Sequence, residues 1–261
     1  MKVFYFLLCL FIKSLSYRLA VTNPKVSHYK YDHSNIVLYD NKYTYGNSFN
    51  SDGIFSRLLS LFKTKEPNEN LERTKLLLLK QLQTCQPNGI NVNIDKRKHI
   101  NNIVIELESK NPTSKPAYSS KMNGFWRMLY TDFSPPSTSS GKLGPFIGEV
   151  YQDLDSNNNI IKNILNLSFP PLTGALIAKQ RILNDNTWAI EFDRVGNKLF
   201  NRINLPTTKF KPGDQIRLWE ITYLDADLRI MRARRPEVDT KESFIFILKK
   251  ELDTSRIYID V

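Results

Sequence analysis

At about Lys121 the hydrophobic pattern of this chain changes period, from an apolar residue every three or four positions to one at every second position. Side chains repeat every 3.6 residues on a helix and every 2 on a strand, so the body divides into a helical portion followed by a sheet. Upstream, Leu71, Lys75, Leu78 and Leu82 mark one helix over about Glu69–Gln86, with Leu76–Leu79 widening its stripe, and the turn sequence Gln86–Gly89 stops it. A second helix is predicted over Ile94–Ser109, capped by Asn93, with Ile100, Ile103, Val104 and Leu107 on one face. Asn111–Pro116 ends the helical part.

Downstream, short alternating runs are separated by turn clusters, the signature of an antiparallel all-β domain. In "TWAIEFD" the residues Trp188, Ile190 and Phe192 point one way, and Ala189, Glu191 and Asp193 the other. In "IIKNILNLSF" the face of Ile161, Leu165, Leu167 and Phe169 carries one polar member, Asn163, which must find a partner or meet a ligand. Strand starts near Gly124, Phe146, Ile160, Ala175, Trp188, Ile216, Leu228 and Ser243 give about eight strands. A sheet of that size avoids exposed edges best by closing. The expected fold is therefore mainly β with N-terminal helices (α+β): an antiparallel β-barrel of about eight strands with two helices packed on it. An eight-stranded interior is either filled by side chains or holds one small molecule.

The run "TYLDADLRIMR" (Thr222–Arg232) gathers two carboxylates, a tyrosine and two arginines. Trp219, Ile221 and Tyr223 alternate before it and Arg229 and Met231 after it, so "DAD" reads as a hairpin turn in which Asp225 bonds downstream amides. At such a tip solvent keeps both carboxylates ionised, whereas paired catalytic carboxylates face each other across a cleft. Arg229 shares a strand face with Met231, so it points to water or lays its guanidinium over an aromatic ring inside the sheet.

Other chemistries are short of residues. Of three histidines, His28 and His33 lie far upstream, leaving His99 on a predicted helix; with Cys85 as the single body cysteine, neither a zinc site nor a disulfide framework has enough ligands. The formal charge of +11 is split between a leader of about +5 and a body of about +6, and no helix-turn-helix or RNP-type motif accompanies it, so nucleic acid is not the expected partner. Lys2, the apolar run Val3–Ile12 and small residues at Ser14 and Ser16 have the layout of a secretory signal peptide over 1–16. Residues 17–68 are acid-poor and rich in Tyr, Asn, Ser and Lys, like a transit peptide, with an amphipathic segment at 53–65 that could touch a membrane. A signal peptide followed by a transit segment suits a complex plastid reached through the secretory route, a non-photosynthetic relict (apicoplast-like) plastid included; secretion is the alternative.

The Gly124-x-Trp126 spacing is similar to that of lipocalins, where a strand-borne Arg covers the Trp and closes one barrel end. Taken together, "NGFWRMLYT", "IGEVYQDLD", "IIKNILNLSF" and "YLDADLRIMR", with "LESKNPTSKP" upstream, resemble the plastid lipid-associated protein (plastid fibrillin) family in order and spacing. The resemblance spans about residues 69–250, leaving a tail at 251–261; the loop Phe133–Pro145 and the "RPEVDTKE" insertion are this chain's own. It implies a lipocalin-like barrel in a plastid, at plastoglobules, thylakoids or stroma, that binds or organises hydrophobic molecules such as lipids, quinones or carotenoids without cofactor or catalysis.

Candidate ligand-contact residues are Trp126, Gln152, Asn163, Trp188, Phe192, Trp219, Tyr223, Arg229 and Arg232. No catalytic or metal-binding residues are assigned. Two alternatives stand beside this reading. One is a structural protein with a filled barrel, held peripherally on a membrane or lipid droplet by the 53–65 segment. The other is a lipid- or ester-modifying enzyme using Asp225, Asp227 or Glu220.

Overall fold

A computed structural model describes residues 67–252 apart from Gln86, Asn201, Thr240 and Lys241. The chain divides into Met1–Pro67 and Asn68–Val261, and the fold below is that of the second unit. The signal-peptide, transit and amphipathic expectations (1–16, 17–68, 53–65) lie outside the described residues, as does the tail beyond Leu252.

Two helices come first, α1 (Pro67–Gln83) and α2 (Ile94–Ser109). The Asn93 side chain caps α2 as expected, accepting from the Lys96 amide at 2.9 Å, which satisfies one of the helix's orphan donors. The predicted face of Ile100, Ile103, Val104 and Leu107 is buried. The stripe of α1 is narrower than its four consecutive leucines suggest: Leu71, Leu78 and Leu82 are buried, while Leu76 and Leu77 face solvent. The turn after α1 does more than stop a helix. Buried Asn88 donates through Nδ2 to the carbonyls of Ser140 and Gly148 at 3.1 and 2.8 Å, and Gly89 lies so close to Tyr130 that an added Cβ would stand 2.5 Å from its ring.

Then come β1 (Gly124–Thr131), a small hairpin of β2 (Lys142–Leu143) and β3 (Phe146–Ile147), and β4 (Glu149–Asp155), β5 (Ile160–Leu167), β6 (Leu172–Ile182), β7 (Thr187–Leu199), β8 (Ile203–Lys209), β9 (Ile216–Leu224), β10 (Leu228–Arg234) and β11 (Phe244–Lys250). Antiparallel pairing runs β6-β5-β4-β1-β11-β10-β9-β7 and returns from β7 to β6, closing eight strands into the expected barrel. Closure removes the edges of these eight strands, leaving β8 as the one strand of this sheet outside the barrel.

One strand does two jobs. Thr187–Glu191 of β7 pair with β9, whereas Arg194–Leu199 pair with β8, so the far half of β7 keeps its pairing with β6, parts from β9 and carries β8 as an exposed flap. The sequence count missed β8, whose residues are almost all exposed and include Pro206, so they give no alternating signal.

Two cores result. The lumen holds Trp126, Met128, Val150, Leu154, Ile161, Leu165, Trp188, Ile190, Trp219, Ile221, Met231 and Leu248, among others. On the outside of β1, β9, β10 and β11, Tyr130, Tyr223, Leu228, Ile230, Ile245 and Ile247 meet the buried faces of α1 and α2.

Candidate functional site

The lumen has two unlike ends. At its base, two short 3-10 turns, Pro116–Tyr118 and Ser120–Met122, lie across the opening. Trp126 Nε1 donates to Met122 O and Trp188 Nε1 to Ala117 O, both at 2.9 Å, so each buried indole satisfies its single donor on the turns that cover it. Trp219 is the direct cross-strand neighbour of Trp188.

Arg229 lies in this base, 0% exposed, with its guanidinium 4.8 Å from the centre of the Trp126 ring. Of the two positions left open by the sequence, the ring over water is the one found. Its Nη2 donates to Gln152 Oε1, but Nε and Nη1 are buried without a partner. Burial pushes its pKa down to about 9, because no neighbouring carboxylate offsets the desolvation of its charge. A buried cation over an indole with two unused donors is a polar feature that an oxygen-bearing ligand, or a water, would complete.

Asn163 sits opposite Gln152 across β4–β5 and opposite Leu176 across β5–β6, half-buried on the lumen side. Phe192 is farther toward the other end, half-buried against the lumen core at the point where β7 parts from β9. Arg217 is 5.3 Å from its ring and Phe210 6.2 Å. Around that end Phe133, Leu143, Phe146, Leu172 and Phe244 are also half-buried against the lumen core, with Phe133 and Phe244 in contact at 4.5 Å between ring centres. The mouth is thus rimmed by aromatics, and two of them come from the segment Phe133–Phe146, which Asn88 pins in place.

Seven of the nine predicted residues therefore face the lumen: Trp126, Gln152, Asn163, Trp188, Phe192, Trp219 and Arg229. Tyr223 and Arg232 do not. A bulge in the β9–β10 ladder, where Ile230 pairs with Tyr223 but Met231 with Ile221, inserts one residue and turns Tyr223 outward to the helices while Leu224 turns in. Arg232 forks onto Glu108 of α2, with Nε and Nη2 at 2.9 and 2.8 Å from its two carboxylate oxygens. A second bulge, at Asp193 of β7, brings Asn197 to the lumen side, where its Oδ1 is buried with no partner. Strict alternation counted from Trp188 places Asn197 outside, so the residue could not be picked out from the pattern.

The "DAD" turn is a turn, but solvent does not govern it. Asp225 Oδ1 accepts from the amides of Asp227 and Leu228 at 2.9 and 2.7 Å, as expected, and its Oδ2 accepts from Tyr223 Oη at 2.8 Å. Lys75 of α1 reaches both carboxylates, standing 2.8 Å from Asp225 Oδ2 and also bonding Asp227 Oδ1. Burial alone raises the Asp225 pKa, but the Lys75 ammonium, the two amides and the Tyr223 hydroxyl outweigh it and hold it below the ordinary aspartate value. Burial, with this carboxylate beside it, pushes the Tyr223 phenol up. This group is a lock between helix and hairpin on the outer wall. Glu220 bonds Asn186 on that wall too, and His99 is exposed on α2.

Among the described residues, the strand positions facing the lumen carry no Asp, Glu or His. A PAP_fibrillin family model matches residues 72–239, which spans most of α1, all of α2, the closed base and the barrel up to β10. The chain belongs to the PAP_fibrillin family. Among its relatives, the probable plastid-lipid-associated protein 2, chloroplastic, of Arabidopsis thaliana is 28% identical over 69% of this chain and 73% of its own length. The probable plastid-lipid-associated protein 5, chloroplastic, of the same plant is 25% identical over 77% of this chain and 80% of its own. A chromoplast-specific carotenoid-associated protein of Cucumis sativus is 32% identical over 44% of this chain and 36% of its own. No solved structure matches the chain. For this PAP_fibrillin protein the helix–sheet locks thus stand apart from the lumen, which gathers seven of the nine candidate residues.

Proposed function

We propose that this chain is a non-enzymatic plastid protein that binds or organises a hydrophobic lipid or isoprenoid molecule in its barrel. The guest's apolar body lies against Trp188, Phe192 and Trp219 and its polar end is met by Gln152, Asn163 and Arg229. The observation that carries this is Arg229: a fully buried cation with two unused donors at the floor of a mainly apolar lumen. The plastid-lipid and carotenoid associations in the relatives' names support it. Removing apolar surface from water supplies roughly 25 cal/mol per Å² of guest buried, and the few polar groups fix orientation. Absence of acids and histidines from the lumen-facing strand positions supports holding over chemistry, and the leader's layout supports delivery to a complex plastid through the secretory route.

The test uses the delipidated full chain and tryptophan fluorescence, titrating a short-chain quinone, which has carbonyl oxygens, against β-carotene, which has none. The quinone should quench Trp126 and Trp188 emission. Arg229→Met should weaken it about tenfold, the worth of a charge-assisted hydrogen bond, while leaving β-carotene unaffected. Trp188→Arg should weaken both. Unchanged quinone affinity in Arg229→Met, or no response to either compound in the wild type, overturns the reading.

A further inference from the structure

The most exposed apolar residues on the sheet gather at one end, around the flap. The sequence pattern places Phe169 on the inward face of β5, yet the strand stops at Leu167 and Phe169, followed by two prolines, is 79% exposed. Phe200 in the β7–β8 turn is 57% exposed and Ile203 52%. These two turns are neighbours: Leu172 pairs with Leu199, Leu199 with Ile203, and the Phe200 amide donates to Pro171 O at 2.8 Å. Phe200 has φ +52°, a left-handed backbone that a bulky aromatic rarely adopts and that costs about 1–2 kcal/mol. A glycine or asparagine would serve the turn better, so the ring is held in water at the turn's expense.

The surroundings are mainly basic: the nearby acids, Glu149 opposite Asn166 and Asp193 beside the flap, are paired with Arg127 and Arg194. Between Asp155 and Asp185, and again between Asp193 and Asp214, the chain has no Asp or Glu. The flap itself carries Lys198, Arg202 and Lys209, none of which has an acidic partner among the described residues. An apolar tip with a collar of unpaired basic residues fits a lipid surface bearing anionic headgroups: aromatics enter the interface and cations meet the headgroups.

We infer that the Phe169–Phe200 end of the flap is a docking tip that inserts into an anionic lipid surface. The tip lies at the same end of the barrel as the aromatic-rimmed mouth, so docking brings the mouth to the lipid from which an apolar guest would come. The inference does not depend on what the lumen holds.

Flotation of the full chain with phosphatidylcholine vesicles, with and without phosphatidylglycerol, tests it. Binding should rise with phosphatidylglycerol and fall with added salt. Phe200→Gly, which relaxes the turn and so keeps the fold, should weaken partitioning about tenfold, and Phe169→Ala by a similar factor. Arg202→Glu should weaken binding to anionic vesicles several-fold and leave neutral ones unchanged. Unchanged flotation of the Phe169→Ala/Phe200→Gly pair overturns the docking tip, as does a change in oligomeric state in place of a change in flotation, since the face would then join copies of the chain. Quinone titration of the same pair without vesicles separates the two proposals: it should match the wild type whichever way flotation falls.

Discussion

The base and the mouth of this barrel are built from the same kinds of residue and treat them oppositely. At the base, Trp126 and Trp188 are buried, each indole N–H is bonded to a covering turn, and Arg229 closes over the ring. At the mouth, Phe133, Phe146, Phe192 and Phe244 are half-buried, and β7 parts from β9 to carry a flap. The difference teaches that aromatic content does not say whether an end of a barrel is sealed. What seals it is a partner for each polar edge and a chain segment to lie across it.

If the base carries the stability, its residues should be costly to change. Trp188→Ala should lower the unfolding free energy by about 3–5 kcal/mol in urea denaturation, through lost burial and an orphaned Ala117 carbonyl. A loss below 1 kcal/mol would remove the contrast between the ends.

The outer lock comes next. Lys75→Met leaves Asp225, whose side chain is 14% exposed, without its cation, and should cost about 2–3 kcal/mol at neutral pH. The sign with pH follows from Asp225. Its folded-state pKa is depressed, so its contribution is fully present above the unfolded value of about 3.9 and is lost as pH falls through the folded value. Wild-type stability should therefore fall in that acid window, and the Lys75→Met variant should fall less steeply there. Parallel curves for the two proteins would show that Lys75 is not what holds the carboxylate ionised.

A smaller effect is expected where α2 meets the sheet. A double-mutant cycle of Arg232→Ala and Glu108→Ala should return a coupling of about 1 kcal/mol, since both side chains are partly exposed and the pair is forked. Neither variant should alter quinone binding, because both residues lie on the outer wall. Smallest of all, Phe210→Ser beside Phe192 should cost under about 1 kcal/mol of stability, since Phe210 is half-buried. It should weaken quinone or β-carotene binding measurably all the same. Stability loss here as large as at Trp188 would mean that the mouth is as sealed as the base.

Much of this was legible in the sequence because it rests on local repetition. The change of period at Lys121, the Asn93 cap, the buried face of α2 and the Asp225 turn each depend on residues a few positions apart. Of the seven lumen residues, Asn163, Trp188, Phe192 and Trp219 followed from alternation, and Trp126 and Gln152 from the family resemblance. Two faces were reversed by one cause: bulges in β9 and at Asp193 of β7 each insert one residue, moving Tyr223 and Asn197, and a bulge has no signature in apolar spacing, whereas Arg232 lies outside by plain alternation with Arg229. The exposed Phe169 was misplaced because alternation continues on paper beyond the strand's end.

By itself, then, the sequence determined the class of each segment, the closed all-β body and the family, since period, caps and turn chemistry are written within short windows. Only the tertiary structure decided partners across long separations: Lys75 on Asp225, Arg232 on Glu108, Asn88 on the Gly148 loop, and Arg229 over Trp126 with two donors unused. A side chain's identity states what it can bond, but which group lies within 3 Å of it is set by how the sheet twists, bulges and closes.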